Sequence, residues 1–298
     1  MTSAPAATPA GSSPRDTGAR ALARRLFDGL ERAAAASSAR SPTLALAVAA
    51  TVGWCRNALS RRWPSPAAVA GLLGVPPATA ESLSRRIGAL EARNRLCAAL
   101  VARHGYGVLR PLVRWVGDRP EALATPCLLV TFHVGAQHAL GAALPDLPGD
   151  HLRLRWSALD PTAPTGALAM VGGELEQRSA ALLGALRHLA AGGVVVSAAD
   201  GAAGAQAPAH CLGRPLPLAR GPLFLAARSG APLVPLLARW RGNAIVAELG
   251  PAIAAPRAAE PAAEALAAAA LAEWLDGTLR RYPDQLTLGL LRRLRGEA

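Results

Sequence analysis

The sequence of 298 residues predicts an α/β protein, a mixed central sheet flanked by helices, with helical additions at both ends. Three observations lead there. From Cys127 onward, short apolar runs alternate with helical patterns, which is the texture of an α/β sheet. Ahead of Arg103 the apolar residues recur at helical spacing, and the chain from about Pro261 to Arg281 is helical again. The division that follows is a disordered leader over 1–17, a helical region over 18–125, and an α/β core with a C-terminal helix over 126–298. A chain of this length can bury a substantial core.

The leader through about Asp16 is rich in Pro, Ser, Ala and Gly and lacks the charged-then-apolar pattern of a signal peptide. From Ala19 to Arg32, Leu22, Leu26, Phe27 and Leu30 share one helical face and arginines fill the rest, as in a helix lying on its own domain or on a membrane surface. Leu44 to Cys55 is apolar, yet shorter than the roughly 20 residues needed to span a bilayer, and reads as a buried or half-inserted helix. Pro64-Ser65-Pro66 breaks the chain before a short helix, Ala67 to Leu73. A long helix follows from about Ala80 to Arg103, with Thr79 as its N-cap and Leu83, Ile87, Leu90, Leu96 and Leu100 as its buried stripe.

Cys127-Leu-Leu-Val-Thr131 is apolar and β-branched and reads as a buried strand delivering His133 to its exposed end, where α/β proteins keep their chemistry. Gly135 allows a backbone or ligand to approach closely. A short helix from Ala139 to Leu144, a strand over Leu152 to Trp156, a Pro-rich loop over Asp160 to Gly166 and a helix from Glu174 to Ala190 come next. Val194 to Ser197 is a strand that ends in Ala198-Ala199-Asp200, so a carboxylate also reaches a strand terminus. Ala202 to Pro217 reads as a long, flexible substrate loop. Arg220-Gly221-Pro222 opens a short helix whose N-terminus, beside an arginine, can hold an anion or can leave Arg220 to satisfy a carboxylate. Leu233 to Trp240 and Ala244 to Leu249 read as a hairpin.

No lysine occurs, so all 32 basic residues are arginine, and against 20 acids they give a net charge of +12. That charge asks for a negative partner: nucleic acid, an anionic membrane surface, or an acidic or phosphorylated ligand. Cys55, Cys97, Cys127 and Cys211 have no paired spacing, which argues against a disulfide framework or a zinc site and fits a reducing cytoplasm. The segment Ala70 to Thr79, with Arg85-Arg86 downstream, has the outline of a helix-turn-helix. Its second helix carries no row of polar base-reading side chains, which makes nucleic acid the weaker partner.

Several separated segments share one further likeness. His133-Val-Gly135, Leu186 to Asp200, Leu212-Gly213-Arg214-Pro215, Gly221 to Arg228, Ser229-Gly-Ala-Pro-Leu-Val-Pro235 and Tyr282-Pro-Asp-Gln-Leu286 with Arg292-Arg293 occur in this order. Together they resemble the lauroyl/myristoyl lipid A acyltransferase branch of the lysophospholipid acyltransferase superfamily over roughly Arg110 to Arg295. The resemblance implies a glycerolipid acyltransferase-like fold. It also implies an enzyme that moves a fatty or related acyl chain from acyl carrier protein or acyl-CoA to a hydroxyl or amine of a lipid or metabolite acceptor. His133 would be the general base, Gly135, Arg220, Gly221 and Arg214 would contact substrate, and no metal or redox cofactor would be needed. The expected location is cytoplasmic, peripheral on the inner face of the cell membrane.

The chain departs from the family where His-x4-Asp/Glu is expected, because His138 takes the place of the acid. A histidine cannot stabilise the imidazolium as a carboxylate does. In order of preference, another acid (Asp146, Asp150 or Asp200) reaches His133, or His133 works alone on an activated donor, or the protein is a silent lipid-binding relative. A metal at His133 and His138 lacks a third ligand, and Cys211 beside His210 is a remote candidate for a thiol nucleophile.

Overall fold

The computed structural model describes residues 25–26, 29–30, 33, 41–60, 64–117, 120–149, 151–155, 168–170, 175–201, 204–257 and 260–297. The leader over 1–17, most of the basic amphipathic helix expected over 19–32, and the Pro-rich loop over 160–166 lie outside them.

Helices α1 (Pro42–Ser60), α2 (Pro66–Leu73) and α3 (Pro77–His104) come first. Ser65 caps α2 by accepting from the Ala68 N–H, and Gly74 closes it in the left-handed region at φ 65°. α3 begins earlier than the Thr79 cap predicted: Pro76 is its N-cap and Pro77 its first residue. A proline with its N–H missing and φ fixed is preorganised for that position, so no side-chain cap is required.

The strands are β1 (Val113–Val116), β2 (Cys127–Thr131), β3 (His151–Arg155), β4 (Leu168–Met170) and β5 (Val194–Ala198), with α4 (Leu175–Ala190) ahead of β5. Four two-residue strands, β6 (Gln206–Ala207), β7 (His210–Cys211), β8 (Arg214–Pro215) and β9 (Leu218–Ala219), lead into α5 (Arg220–Ser229). β10 (Leu233–Arg241), β11 (Ala244–Leu249), α6 (Pro261–Arg281) and α7 (Leu288–Leu294) complete the order. Seven strands form one mixed sheet in the order β1-β11-β10-β2-β5-β3-β4. β10, β2, β5, β3 and β4 run parallel, while β11 pairs antiparallel to β10 and parallel to β1.

Both faces of this sheet are covered, which is why Cys127–Val130 of β2, the three valines of β5 and Leu233–Ala238 of β10 read as continuous apolar runs. Leu128, Val130 and Phe132 point to a core shared with α2, α4, α5, α6 and α7. Cys127 and Leu129 point to the opposite core, shared with α1 and much of α3. The alternation along β2 thus divides a three-layer interior.

The region over 18–125 contributes a strand as well as helices to the described fold. Its described helices α1, α2 and α3 pack on the sheet, and β1 is an edge strand. Four residues, Val-Arg-Trp-Val, are too few to show a period in the sequence. Within the segment expected as a flexible loop, the described residues 204–217 carry short paired strands. β6 pairs with β9 and β7 with β8, and the second hairpin turns through Leu212 and Gly213 at φ 52° and 68°. Two positive φ values in succession are those of a tight I′ hairpin, and Cys211, Leu216 and Leu218 are buried in the core.

Candidate active site

β2 and β5 are adjacent and parallel, with Thr131 opposite Ala198, so both chains leave the sheet at the same edge. Two residues further on, the histidine of one meets the carboxylate of the other. His133 Nδ1 lies 2.8 Å from Asp200 Oδ1, and the His133 backbone N–H donates to Asp200 Oδ2 at 2.9 Å. One carboxylate therefore fixes both the ring and the main chain that carries it. Asp200 is 1% exposed while the His133 side chain is 53% exposed. With Nδ1 engaged, the solvent-facing edge carries Nε2.

Of the three acids considered from the sequence, Asp200 is the one that reaches His133. Asp146 instead accepts from Arg110 at 2.8 Å and from the Trp115 indole at 3.0 Å, and Asp150 lies outside the described residues. His138 sits exposed on the 3₁₀ turn Gln137–Ala142, with its Nε2 3.3 Å from the Gln137 side-chain nitrogen. The first of the alternatives is the one the geometry holds: an acid on the neighbouring strand, rather than one five residues downstream, reaches His133. A parallel neighbour delivers it because both strand ends open on one edge of the sheet.

Hydrogen bonding to Asp200 and its negative charge raise the His133 pKa above the ordinary histidine value, against opposing effects of burial and of Arg293. Arg293 stands behind the pair, its Nη1 3.8 Å from Asp200 Oδ2 and its Nη2 on the Pro217 carbonyl at 3.3 Å. The His133 carbonyl accepts from the Thr287 hydroxyl, which also caps α7 by accepting from the Leu290 N–H.

The loop after His133 is tied down on every side. The Gly135 N–H donates to the Gln285 carbonyl at 2.8 Å, the Asn94 side chain donates to the Gly135 carbonyl at 2.8 Å, and the Ala136 N–H donates to the Ala238 carbonyl at 2.7 Å. Gly135 has φ 56°, and a Cβ there would lie 2.3 Å from the Ala238 carbonyl oxygen. Gly135 is buried, and of the backbone or ligand that a glycine here admits, it is the β10 backbone that approaches it in this structure.

The other substrate-side residues are placed differently. Arg220 donates through Nε to the buried carboxylate of Glu264 at 2.5 Å, so its guanidinium is engaged with its own fold. The start of α5 nevertheless lies against the Asp200 segment, because the Ala219 N–H, two residues before Gly221, donates to the Ala199 carbonyl at 2.6 Å. Arg214 is exposed on β8, and no contact among the described residues links it to His133. Cys211 is 1% exposed and its thiol is pushed up to about 12, chiefly by burial, which removes it as a nucleophile near neutral pH. Arg85 and Arg86, on which a DNA-binding reading would rest, pair with Glu81 and Asp284. Among the described residues no group of His, Cys, Asp and Glu is assembled that could hold a metal ion.

Asn94, Gln285, Thr287 and Arg293 do not stand out as site residues in the sequence. Asn94 did carry a signal, since it lies on the apolar stripe of α3 between Leu90 and Leu96, where a polar residue needs a reason. The other three fall within or just beyond the Tyr282–Leu286 and Arg292-Arg293 segments that already stood out.

The fold and site define a mixed α/β protein with a carboxylate-held histidine at the C-terminal edge of its parallel strands. No protein-family model matches this chain, and no curated protein matches it significantly.

Proposed function

We propose that the chain is an acyltransferase of glycerolipid acyltransferase-like architecture, with His133 as general base and Asp200 as the residue that orients it. The observation that carries this reading is the His133 Nδ1–Asp200 Oδ1 hydrogen bond of 2.8 Å beneath a solvent-facing imidazole edge. Asp200 holds the proton on Nδ1 and leaves Nε2 free to accept one, the arrangement a general base requires. The ordered motifs from His133 to Arg293 add the likeness to the lipid A acyltransferase branch.

In the proposed reaction Nε2 takes the proton of an acceptor hydroxyl or amine as that group attacks the carbonyl carbon of an acyl thioester. The new carbon–oxygen or carbon–nitrogen bond forms, the carbon–sulfur bond breaks, and the imidazolium returns its proton to the departing thiolate. Asp200 stabilises the imidazolium between these steps, which a second histidine could not do. The donor is an acyl carrier protein or coenzyme A thioester. An acidic carrier, the coenzyme A phosphates or an anionic bilayer each complements a net charge of +12. Among the described residues no helix is long and apolar enough to cross a membrane. We place the protein at the inner face of the cell membrane as a peripheral component.

The test is incubation with labelled acyl thioesters and a cell lipid or metabolite extract, read by mass spectrometry. The wild type should yield an acyl product that His133→Ala does not. Absence of any His133-dependent product with every donor would favour the silent lipid-binding reading.

A further inference from the structure

A cleft of about 540 Å³ opens between α3, the turn joining β10 to β11, and the segment that follows α6. Four arginines line it, Arg86, Arg93, Arg239 and Arg241, against one carboxylate, Asp284. Asp284 pairs with Arg86 at 2.5 Å, leaving three cations without a carboxylate among the residues lining the cleft. The reading of His133 uses none of them.

Arg239 is the most informative of the four. It is 8% exposed, its Nε has no hydrogen-bond partner, and the nearest carboxylate oxygen, Glu248 Oε2, lies 3.8 Å away. That distance is beyond hydrogen-bond reach. Glu248 on β11 thus balances the Arg239 charge through Nε only at ion-pair distance, from behind, while the guanidinium lines the cleft.

Two of the arginines, Arg239 and Arg93, also lie over aromatic rings. The Arg239 guanidinium stacks on the Tyr282 ring at 4.0 Å, and that of Arg93 lies 5.5 Å from the Trp240 ring centroid. Arg93 has a buried, unpartnered Nε as well, and its Nη2 reaches Asn243 only at 3.4 Å. Stacking on a ring fixes the plane of a guanidinium and leaves its N–H edges to recognise a ligand. Burial lowers the Arg93 pKa, with Asp284 opposing, as expected for a cation kept partly out of water.

We propose that this cleft is a binding site for a phosphate ester. Converging guanidinium forks match phosphate oxygens in bidentate pairs, and a dianion compensates clustered cations better than a single carboxylate does. The source of the phosphate is a soluble phosphorylated metabolite or the phosphomonoester headgroup of a lipid. The proposal holds whether or not His133 transfers acyl groups. The cleft is nevertheless joined to the His133 loop. The Trp240 N–H donates to the Gln285 side chain at 2.9 Å, and the Trp240 indole donates to Asn94 at 3.2 Å. Asn94 and Gln285 are the residues that hold Gly135.

The test uses the full chain and pyrophosphate as probe, by isothermal titration at low and at physiological salt. Wild type should bind saturably. The Arg241→Gln variant, at an exposed position that leaves the core intact, should weaken binding about tenfold, as should Arg239→Lys. Arg228→Gln, which lowers the net charge equally at a distant site on α5, should bind as wild type does. A second arm measures retention on phosphatidylcholine vesicles with and without phosphatidic acid. Retention that pyrophosphate displaces and Arg241→Gln abolishes assigns the phosphate to a lipid, whereas pyrophosphate binding without retention assigns it to a soluble ligand. No saturable pyrophosphate binding, or equal losses in Arg241→Gln and Arg228→Gln, would overturn the proposal.

Discussion

Replacing Asp200 by Asn tests the site at its most specific point, because the two carboxylate oxygens have different tasks. Oδ2 accepts from the His133 backbone N–H at 2.9 Å and Oδ1 from the ring at 2.8 Å. An isosteric amide has only one acceptor oxygen, and the backbone N–H, which can only donate, claims it. The amide NH₂ then faces Nδ1, so Nδ1 becomes the acceptor and the ring proton moves to Nε2. The general base is left in the wrong tautomer with its geometry intact. In a serine protease the analogous change costs about 10⁴ in rate, equivalent to about 5.5 kcal/mol of transition-state stabilisation, and a loss of that order is expected here. Two assays read it: thiol release from the acyl thioester, and ¹⁵N spectra of the imidazole, which distinguish Nδ1–H from Nε2–H without any substrate. The variant should show Nε2–H and the wild type Nδ1–H. The pair also makes stability pH-dependent with a definite sign. The folded His133 pKa is raised, so its stabilisation is complete below the unfolded value of about 6.5 and fades as pH rises through the folded value. The stability gap between wild type and variant should therefore shrink at higher pH. Activity of Asp200→Asn within tenfold of wild type, with Nδ1–H retained, would refute the reasoning.

Three further outcomes follow from the same geometry. Gly135→Ala places a methyl 2.3 Å from the Ala238 carbonyl at φ 56° and should cost about 3 kcal/mol in urea unfolding; a change below about 0.5 kcal/mol contradicts the close approach. Arg293→Met removes a positive charge that lowers the His133 pKa, so the acid limb of the pH–rate profile should move to higher pH. An unchanged or downward-shifted limb would remove Arg293 from the site. His138→Glu restores the carboxylate position of the resembled family, yet Nδ1 is already held by Asp200, so turnover should stay within about threefold. A large gain would show that Asp200 is not the working partner.

Much of this arrangement was legible because it rests on local chemistry. The apolar run of β2 and the valines of β5 announce buried strands, and each leads to one polar residue where the run stops. What the sequence could not announce was the pairing order of the strands. Only β2 lying beside β5 turns Asp200 from one of three candidate acids into the partner of His133. β1 and β4 are not legible, because three or four residues at a sheet edge show no period. The segment over 202–217 reads as a loop because its turn, Leu212-Gly213, has a leucine where glycine or asparagine is the usual signal. Gly135 was recognised as a point of close approach, but whether a ligand or a backbone comes near depends on β10, a hundred residues away. Arg220 offered an anion site or a structural pair on equal terms, and Glu264 on α6 engages it.

The measurement that bears most directly on the central claim is single-turnover acyl transfer by wild type and His133→Ala with the same labelled thioester and acceptor extract. Loss of a general base typically costs 10²–10⁴ in rate. The account predicts an acylated product with the wild type and at least about a hundredfold slower formation with His133→Ala, with the His133→Ala protein still folded. Product formation at the wild-type rate by the variant would contradict it.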